Sequence, residues 1–217
     1  MLADTRKQMQ QLEKALRQNQ AMRAKYPDEP QRFIDSEADL NDELRQLVVL
    51  TTNCALLYPE FERLNGPSVL VELLSHENAD IAGAAIQVLE ELTDDDVLDS
   101  EEQDESAQRP GLDAMHALVR ALRENQVLAL LVSNLSRFND KPPAEDDVAA
   151  LENYDSDAQN VYHTLSVLEN LVSLQPDAAE DVVANTSLLP WLLQRMQFAR
   201  FDQNMAYAGE LLAILLQ

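Results

Sequence analysis

A single cysteine, Cys54, leaves the chain no internal disulfide and fits a reducing compartment. Its neighbours are apolar, which marks a buried thiol rather than a nucleophile. There is no signal peptide and no apolar run long enough to span a membrane, so the expectation is a soluble intracellular protein. Four glycines and 5 % aromatic residues are few for 217 residues. Without long apolar–polar alternation, a sheet-rich fold is disfavoured, and the many Leu and Ala point to helices. Basic residues are scarce too: 16 Lys and Arg face 39 Asp and Glu, a net charge of −23. Such a field repels nucleic-acid phosphates and anionic membranes and attracts basic partners. The signatures HExxH, CxxC, GxSxG and the P-loop are missing. His76, His116 and His163 fall in different segments, so no nucleophile, base and orienter converge. No enzyme and no cofactor are expected. Asp94-Asp95-Asp96 and Glu101 to Glu105 form a dense acidic loop whose like charges repel. The D-x-D-x-D-G order of a calcium loop is absent, so no metal is assigned.

What is present centres on Asn65 to Asp96, which reads as two short helices with a tight break. Asn65 and Gly66 mark a turn, and Pro67 suits a first helical position, where its missing N–H costs nothing. Val69, Leu70, Leu73 and Leu74 form one apolar face. Asn78 or Asp80 can cap the next helix, along which Ile81, Ala85, Val88, Leu89 and Leu92 recur at helical spacing. Neither helix buries its stripe alone, and a pair of this size is the unit of an α-solenoid.

Residues 3–25 are helix-prone. Leu2, Met9 and Leu16 recur every seven and Leu12 adds a further apolar position, while Thr5 and Asn19 weaken the seam. Residues 1–25 carry a net +4, and this helix either packs on the body or serves as an arm that docks on a partner. Tyr26 to Phe33, with Pro27 and Pro30, stops it. Ser36 with Asp39 reads as a capping box. It opens a helix burying Leu40, Leu44, Leu47, Val48 and Ala55, which Pro59 ends and which caps the first repeat. Gly111 opens a helix to Glu124 with Leu112, Met115, Leu118, Val119 and Leu122 on one side. Gln126–Phe138 is a second, Asn139 to Ala144 a break, and Asp155–Leu174 a third. Val167-Leu-Glu-Asn-Leu171 echoes Val88-Leu-Glu-Glu-Leu92 almost letter for letter. After Pro176, Ala184–Gln197 and Met205–Gln217 form a last pair, with Phe201–Asn204 as the turn. The expected organisation is a basic helix or arm (1–25), a capping helix (26–64) and repeats over 65–98, 111–175 and 184–217.

These residues resemble an armadillo repeat: Gly66, the Leu70-Val71-Glu72-Leu73-Leu74 run, Ile81, Ala85 and Leu89 stand at its Gly and on its two longer helices. Tyr26 to Glu43 (YPDEPQRFIDSEADLNDE), Leu89 to Asp94, Gln126 to Val132 and Leu212 to Gln217 are similar, in order and spacing, to the beta-catenin-like protein 1 family of nuclear armadillo-type proteins. Residues 1–20, Asp99–Gly111 and Phe138–Asp155 depart from the family pattern. Family members are much longer, so the chain is read as an N-terminal fragment whose last helices lack a neighbour, leaving Leu211, Ile214 and Leu216 partly exposed. The resemblance implies an all-α, armadillo-like right-handed superhelix of helical repeats with an N-terminal capping helix. It also implies a nuclear, spliceosome-associated, non-enzymatic scaffold that binds basic, nuclear-localisation-type segments of splicing or other nuclear proteins.

In such solenoids the third helix of each repeat offers a ladder of side chains to partners. Here Gln87, Ser166 and Glu210 share one ladder position, and Glu91, Asn170 and Ile214 the other. Nuclear-import receptors carry Trp and Asn there, and only Asn170 keeps the pattern, so cation stems stacked on Trp are not available. Gln87, Glu90, Glu91, Ser166, Glu169, Asn170 and Glu210 are therefore the candidate partner-binding residues, with the carboxylates pairing to Lys or Arg. The alternative is a nuclear-transport receptor for basic cargo, which the missing Trp ladder weakens. Self-association through the N-terminal helix or the last repeat, and masking of the acidic face by the basic arm, are further expectations.

Overall fold

The structure is a computed structural model that describes residues 1–99, 105–139, 148–198 and 200–216. Residues 140–144 of the expected break and 101–104 of the expected acidic loop lie outside the described residues. Among the described residues every regular element is helical and no strand occurs. The chain divides into two compact units, Met1–Asn125 and Gln126–Gln217. The division falls within the stretch 111–175.

The first unit begins with α1 (Leu2–Lys25), an unbroken helix free of Gly and Pro. Met9, Leu12 and Leu16 are buried as the heptad spacing predicts, and Thr5 and Asn19 are buried in the same seam. The seam packs on α2 (Ile34–Arg45) and α3 (Cys54–Arg63). Arg6 pairs with Glu60 at 2.5 Å, while Arg23 pairs with Glu37 and Glu77 and lies 4.6 Å over the Phe33 ring. The basic helix is thus part of this unit's core, and these pairs involve none of the candidate partner-binding residues.

Two local expectations are corrected here. Ser36 does not open α2; Phe33 stands at the cap and Ser36 lies in the first turn, buried. Its hydroxyl donates to the Phe33 carbonyl at 2.7 Å and accepts from Asn19 Nδ2 at 3.0 Å, so a tertiary contact has taken the group that would cap. Nor does one helix run to Pro59. After Arg45 the backbone tightens into a 3₁₀ stretch over Gln46–Asn53. Val48, Val49, Thr51 and Thr52 are β-branched and poor helix formers, and the two threonine hydroxyls donate back to the carbonyls three residues earlier. Asn53 then caps α3, accepting from the Leu56 N–H at 3.0 Å. Pro59 sits inside α3 on its exposed side, where solvent can serve the carbonyl it leaves without a helical donor.

The hairpin of α4 (Gly66–Leu73) and α5 (Ala79–Thr93) forms where the sequence places it. Asn65 takes the left-handed conformation (φ 60°), and Asn78 caps α5 by accepting from the Asp80 N–H. Gly66 is required by space: a Cβ there would lie 2.1 Å from the Phe61 ring, which is wholly buried. Leu70, Leu73, Leu74, Ile81, Ala85, Val88, Leu89 and Leu92 form the core, with Val71 buried and Val69 half-exposed. A short α6 (Asp96–Asp99) leads to α7 (Glu105–Glu124), which packs on α3 and α4. Helix α7 begins before Gly111, which with Pro110 lies inside it; Leu112, expected on the apolar side, is exposed.

The second unit comprises α8 (Val127–Leu135), α9 (Val148–Leu174), α10 (Asp177–Asn185), α11 (Leu188–Arg195) and α12 (Gln203–Leu215). Helix α9 starts earlier than Asp155 and buries Val161, Leu165, Leu168 and Leu171. The echoed segments share one burial pattern: Val167, Leu168 and Leu171 match Val88, Leu89 and Leu92. Helix α10 was not anticipated as a separate element; it buries only Ala178 and Val182, too thin a stripe to stand out. Asp202 caps α12, accepting from the Met205 N–H at 2.9 Å, so this helix begins inside the expected turn. The same carboxylate takes Arg195 Nη2 through both oxygens at 2.6 and 2.8 Å, which lets an arginine sit 2 % exposed. Leu211 is fully buried, against the expectation of partial exposure, because α12 packs on α9, α10 and α11; Ile214 is half-buried and Leu216 is 71 % exposed.

Candidate functional site

Helix α5 turns Val88, Leu89 and Leu92 into the core, and 3.6-residue periodicity then sends Gln87, Glu90 and Glu91 outward. Gln87 and Glu90 are half-buried and Glu91 is exposed. Gln87 Oε1 accepts from Arg45 Nη1 at 3.2 Å, so the amide is held from α2. The segment contains no Lys or Arg from Ala79 to Thr93.

The second unit has its own face, where α9 lies against α12. Ser166, Glu169 and Asn170 are half-buried on α9, and Glu210 is exposed on α12. Burial, then the hydrogen bond to the Glu169 carboxylate, pushes the Tyr207 phenol well above its ordinary value, with Ser166 acting in the opposite sense. Tyr207 packs on Tyr162 with ring centres 5.0 Å apart and planes tilted by 53°, and His163 meets the Tyr162 ring edge-on at 5.9 Å. Helices α9 and α12 also contain no Lys or Arg.

Gln87, Glu90 and Glu91 thus share α5, and Ser166, Glu169, Asn170 and Glu210 share the α9–α12 pair. Sequence reasoning missed the tyrosines. Tyr162 stands four residues before Ser166 and Tyr207 three before Glu210, one helical turn away from the positions compared with the import-receptor ladder. That spacing was the available signal.

Elsewhere the polar groups serve the fold. His76 Nδ1 accepts from the Asn78 N–H at 3.1 Å, so its Nε2–H donates to Asn19 Oδ1 at 3.0 Å. Burial holds the His76 imidazole below its usual pKa. Glu60 sits between Arg63 and Arg6, which lower its carboxyl to about 2. Cys54 is fully buried. The carboxylates of Asp94, Asp95 and Asp96 approach within 4.8 Å of one another at an exposed turn, the one such grouping of possible metal ligands among the described residues. Asp94 Oδ1 accepts from the Asp96 N–H, a local turn contact. Among the described residues no helix is long and apolar enough to cross a membrane.

Comparison with known proteins gives one consistent result. The family model described as "Catenin-beta-like, Arm-motif containing nuclear" matches residues 2–217. The "Beta-catenin-like protein 1 homolog" of Schizosaccharomyces pombe is 37 % identical over 207 residues, covering 94 % of this chain and 32 % of that protein. "Beta-catenin-like protein 1" of Homo sapiens and of Mus musculus are each 36 % identical over 216 residues, covering 99 % of this chain and 34 % of theirs. The chain spans about a third of the length of these curated relatives.

Proposed function

The chain belongs to the catenin-beta-like family of Arm-motif-containing nuclear proteins, and on that premise we propose that it is a non-enzymatic protein-interaction scaffold of the nucleus. In this reading it binds basic, nuclear-localisation-type segments of partner proteins and works with the pre-mRNA splicing machinery, as the resemblance of its motifs implies. One observation carries the reading. The helices that hold the candidate residues, α5, α9 and α12, are free of Lys and Arg, in a chain of net charge −23. Arg45 reaches Gln87 from α2, but the charges these helices themselves bring are negative, and their field favours cationic segments.

The magnitudes say how such a segment would be held. An exposed ion pair contributes roughly 0.2–1 kcal/mol. Three or four of them fall short of the roughly 8 kcal/mol that a micromolar complex needs. Lysine and arginine stems must add apolar contact with the half-buried side chains between the carboxylates. The transport-receptor reading is not favoured: Trp191, the only tryptophan, stands on α11 rather than on α5, α9 or α12.

The test is calorimetric titration of the full chain with a basic segment at two ionic strengths. Binding should weaken with salt. Replacing the exposed Glu91 and Glu210 together by Lys should weaken it about 3–10-fold, two lost pairs plus new repulsion. Affinity that ignores both salt and the charge reversal overturns the proposal.

A further inference from the structure

A groove of about 560 Å³ opens beside the N-terminal half of α9 and the start of α12. Its ring-bearing walls are Tyr154, Tyr162 and His163, and its polar groups include Asp155, Gln159 and Asp202. Two of its polar side chains are already engaged. Asp202 holds Arg195 and caps α12, and Asn204, which also lines it, donates to the Ala158 carbonyl at 2.8 Å. Asp155 is exposed, and no side chain among the described residues pairs with it.

The tyrosine wall is held in place. Tyr207 backs Tyr162, its ring centre 5.0 Å away. The edge-on His163 ring restrains it from another side. A ring fixed in this way meets a ligand with little reorganisation. No cation of α9 or α12 competes for it, and Arg195 is buried against Asp202 and Phe198.

We propose that this groove is an arginine slot, taking one guanidinium of a basic partner segment stacked on Tyr162 and paired with Asp155. The slot rests on the reading that the chain binds basic segments, and it names the anchoring residue type. A guanidinium is flat, so it lies on a ring while its N–H groups point in plane to a carboxylate. An ammonium group is a compact, strongly hydrated point charge and makes one of these contacts at the expense of the other. The slot also answers the missing Trp ladder, because tyrosines supply the aromatic faces one turn away.

The experiment titrates the full chain with acetylated, amidated tetra-arginine and with tetra-lysine at physiological ionic strength. Binding is read by calorimetry and by the ring signals of ¹³C-labelled tyrosine. Tetra-arginine should bind about 2–5-fold tighter, the range of one exposed cation–π contact. Tyr162→Leu, which keeps an apolar side chain and removes the π face, should erase that preference. Asp155→Asn, an exposed change that leaves packing untouched, should weaken tetra-arginine about 2–5-fold. The Tyr162 ring signals should shift on binding. Equal binding of both peptides, a preference that survives Tyr162→Leu, or tetra-arginine binding unchanged in Asp155→Asn overturns the slot alone. Failure of the wild-type chain to bind either peptide overturns the slot and the reading beneath it.

Discussion

Replacing Asn19 separates sequence pattern from geometry more sharply than any other change in the first unit. Asn19 occupies a heptad position of α1 and is 0 % exposed. By pattern alone, Asn19→Leu completes an apolar seam and should stabilise the helix packing. The geometry predicts the reverse. Asn19 Nδ2 donates to Ser36 Oγ at 3.0 Å, and Asn19 Oδ1 accepts from His76 Nε2 at 3.0 Å. One side chain therefore joins α1, α2 and the loop between α4 and α5. Each bond contributes about 1 kcal/mol net. Leucine removes both and leaves the Ser36 hydroxyl with only its bond to the Phe33 carbonyl. Branched bulk at a site shaped for an amide adds strain of about 1 kcal/mol or more. Asn19→Leu should thus cost about 2–4 kcal/mol and Asn19→Ala about 2–3 kcal/mol. Urea denaturation followed by helical circular dichroism reads both. A cycle with Ser36→Ala should show a coupling of about 0.5–1.5 kcal/mol. Stability unchanged or raised in Asn19→Leu would refute the reasoning.

Other perturbations follow from the same contacts. Gly66→Ala forces a methyl into the buried Phe61 ring and should cost about 1–3 kcal/mol, read as a lower urea midpoint; an unchanged midpoint would mean the space is not needed. Leu89→Ala and Leu168→Ala empty matched, wholly buried positions on α5 and α9 and should each cost about 2–5 kcal/mol in thermal or urea melts. His76 has a folded pKa lowered mainly by burial, so the unfolded chain binds the proton first. Its stabilising contribution is present above the ordinary value near 6.5 and is lost as pH falls through that value to the lower folded one. His76→Gln should flatten the fall in melting temperature across that window. Glu60, lowered from 4.5 to about 2 by Arg63 and Arg6, contributes above 4.5 and loses its contribution as pH falls toward 2. Glu60→Gln should leave less stability to lose between those pH values.

The hairpin at Asn65 to Asp96 was legible because its signals are local. An Asn-Gly turn, a proline at the helix start, an Asn cap and a 3.6-residue apolar stripe all point the same way. The repeat echo was legible because equal burial demands equal apolar spacing in Val88–Leu92 and Val167–Leu171. What sequence could not give is tertiary. Ser36 looks like a cap until Asn19 takes its hydroxyl. Pro59 looks like a stop until the 3₁₀ stretch and the Asn53 cap restart the helix before it. Helix α10 has two buried residues and no pattern to read. The acidic residues of the candidate faces were visible as charge. That Tyr207 backs Tyr162 depends on how α9 meets α12, which no spacing along one helix encodes.

The most direct test of the binding proposal is photo-crosslinking. A basic segment carrying a benzophenone residue is bound to the full chain, irradiated, and the attachment points are read by mass spectrometry. The predicted result is attachment on α5, α9 and α12, abolished by excess unlabelled segment and reduced by raised salt. Attachment confined to α1, α3, α7 or α11, or spread evenly and indifferent to competitor, would contradict it.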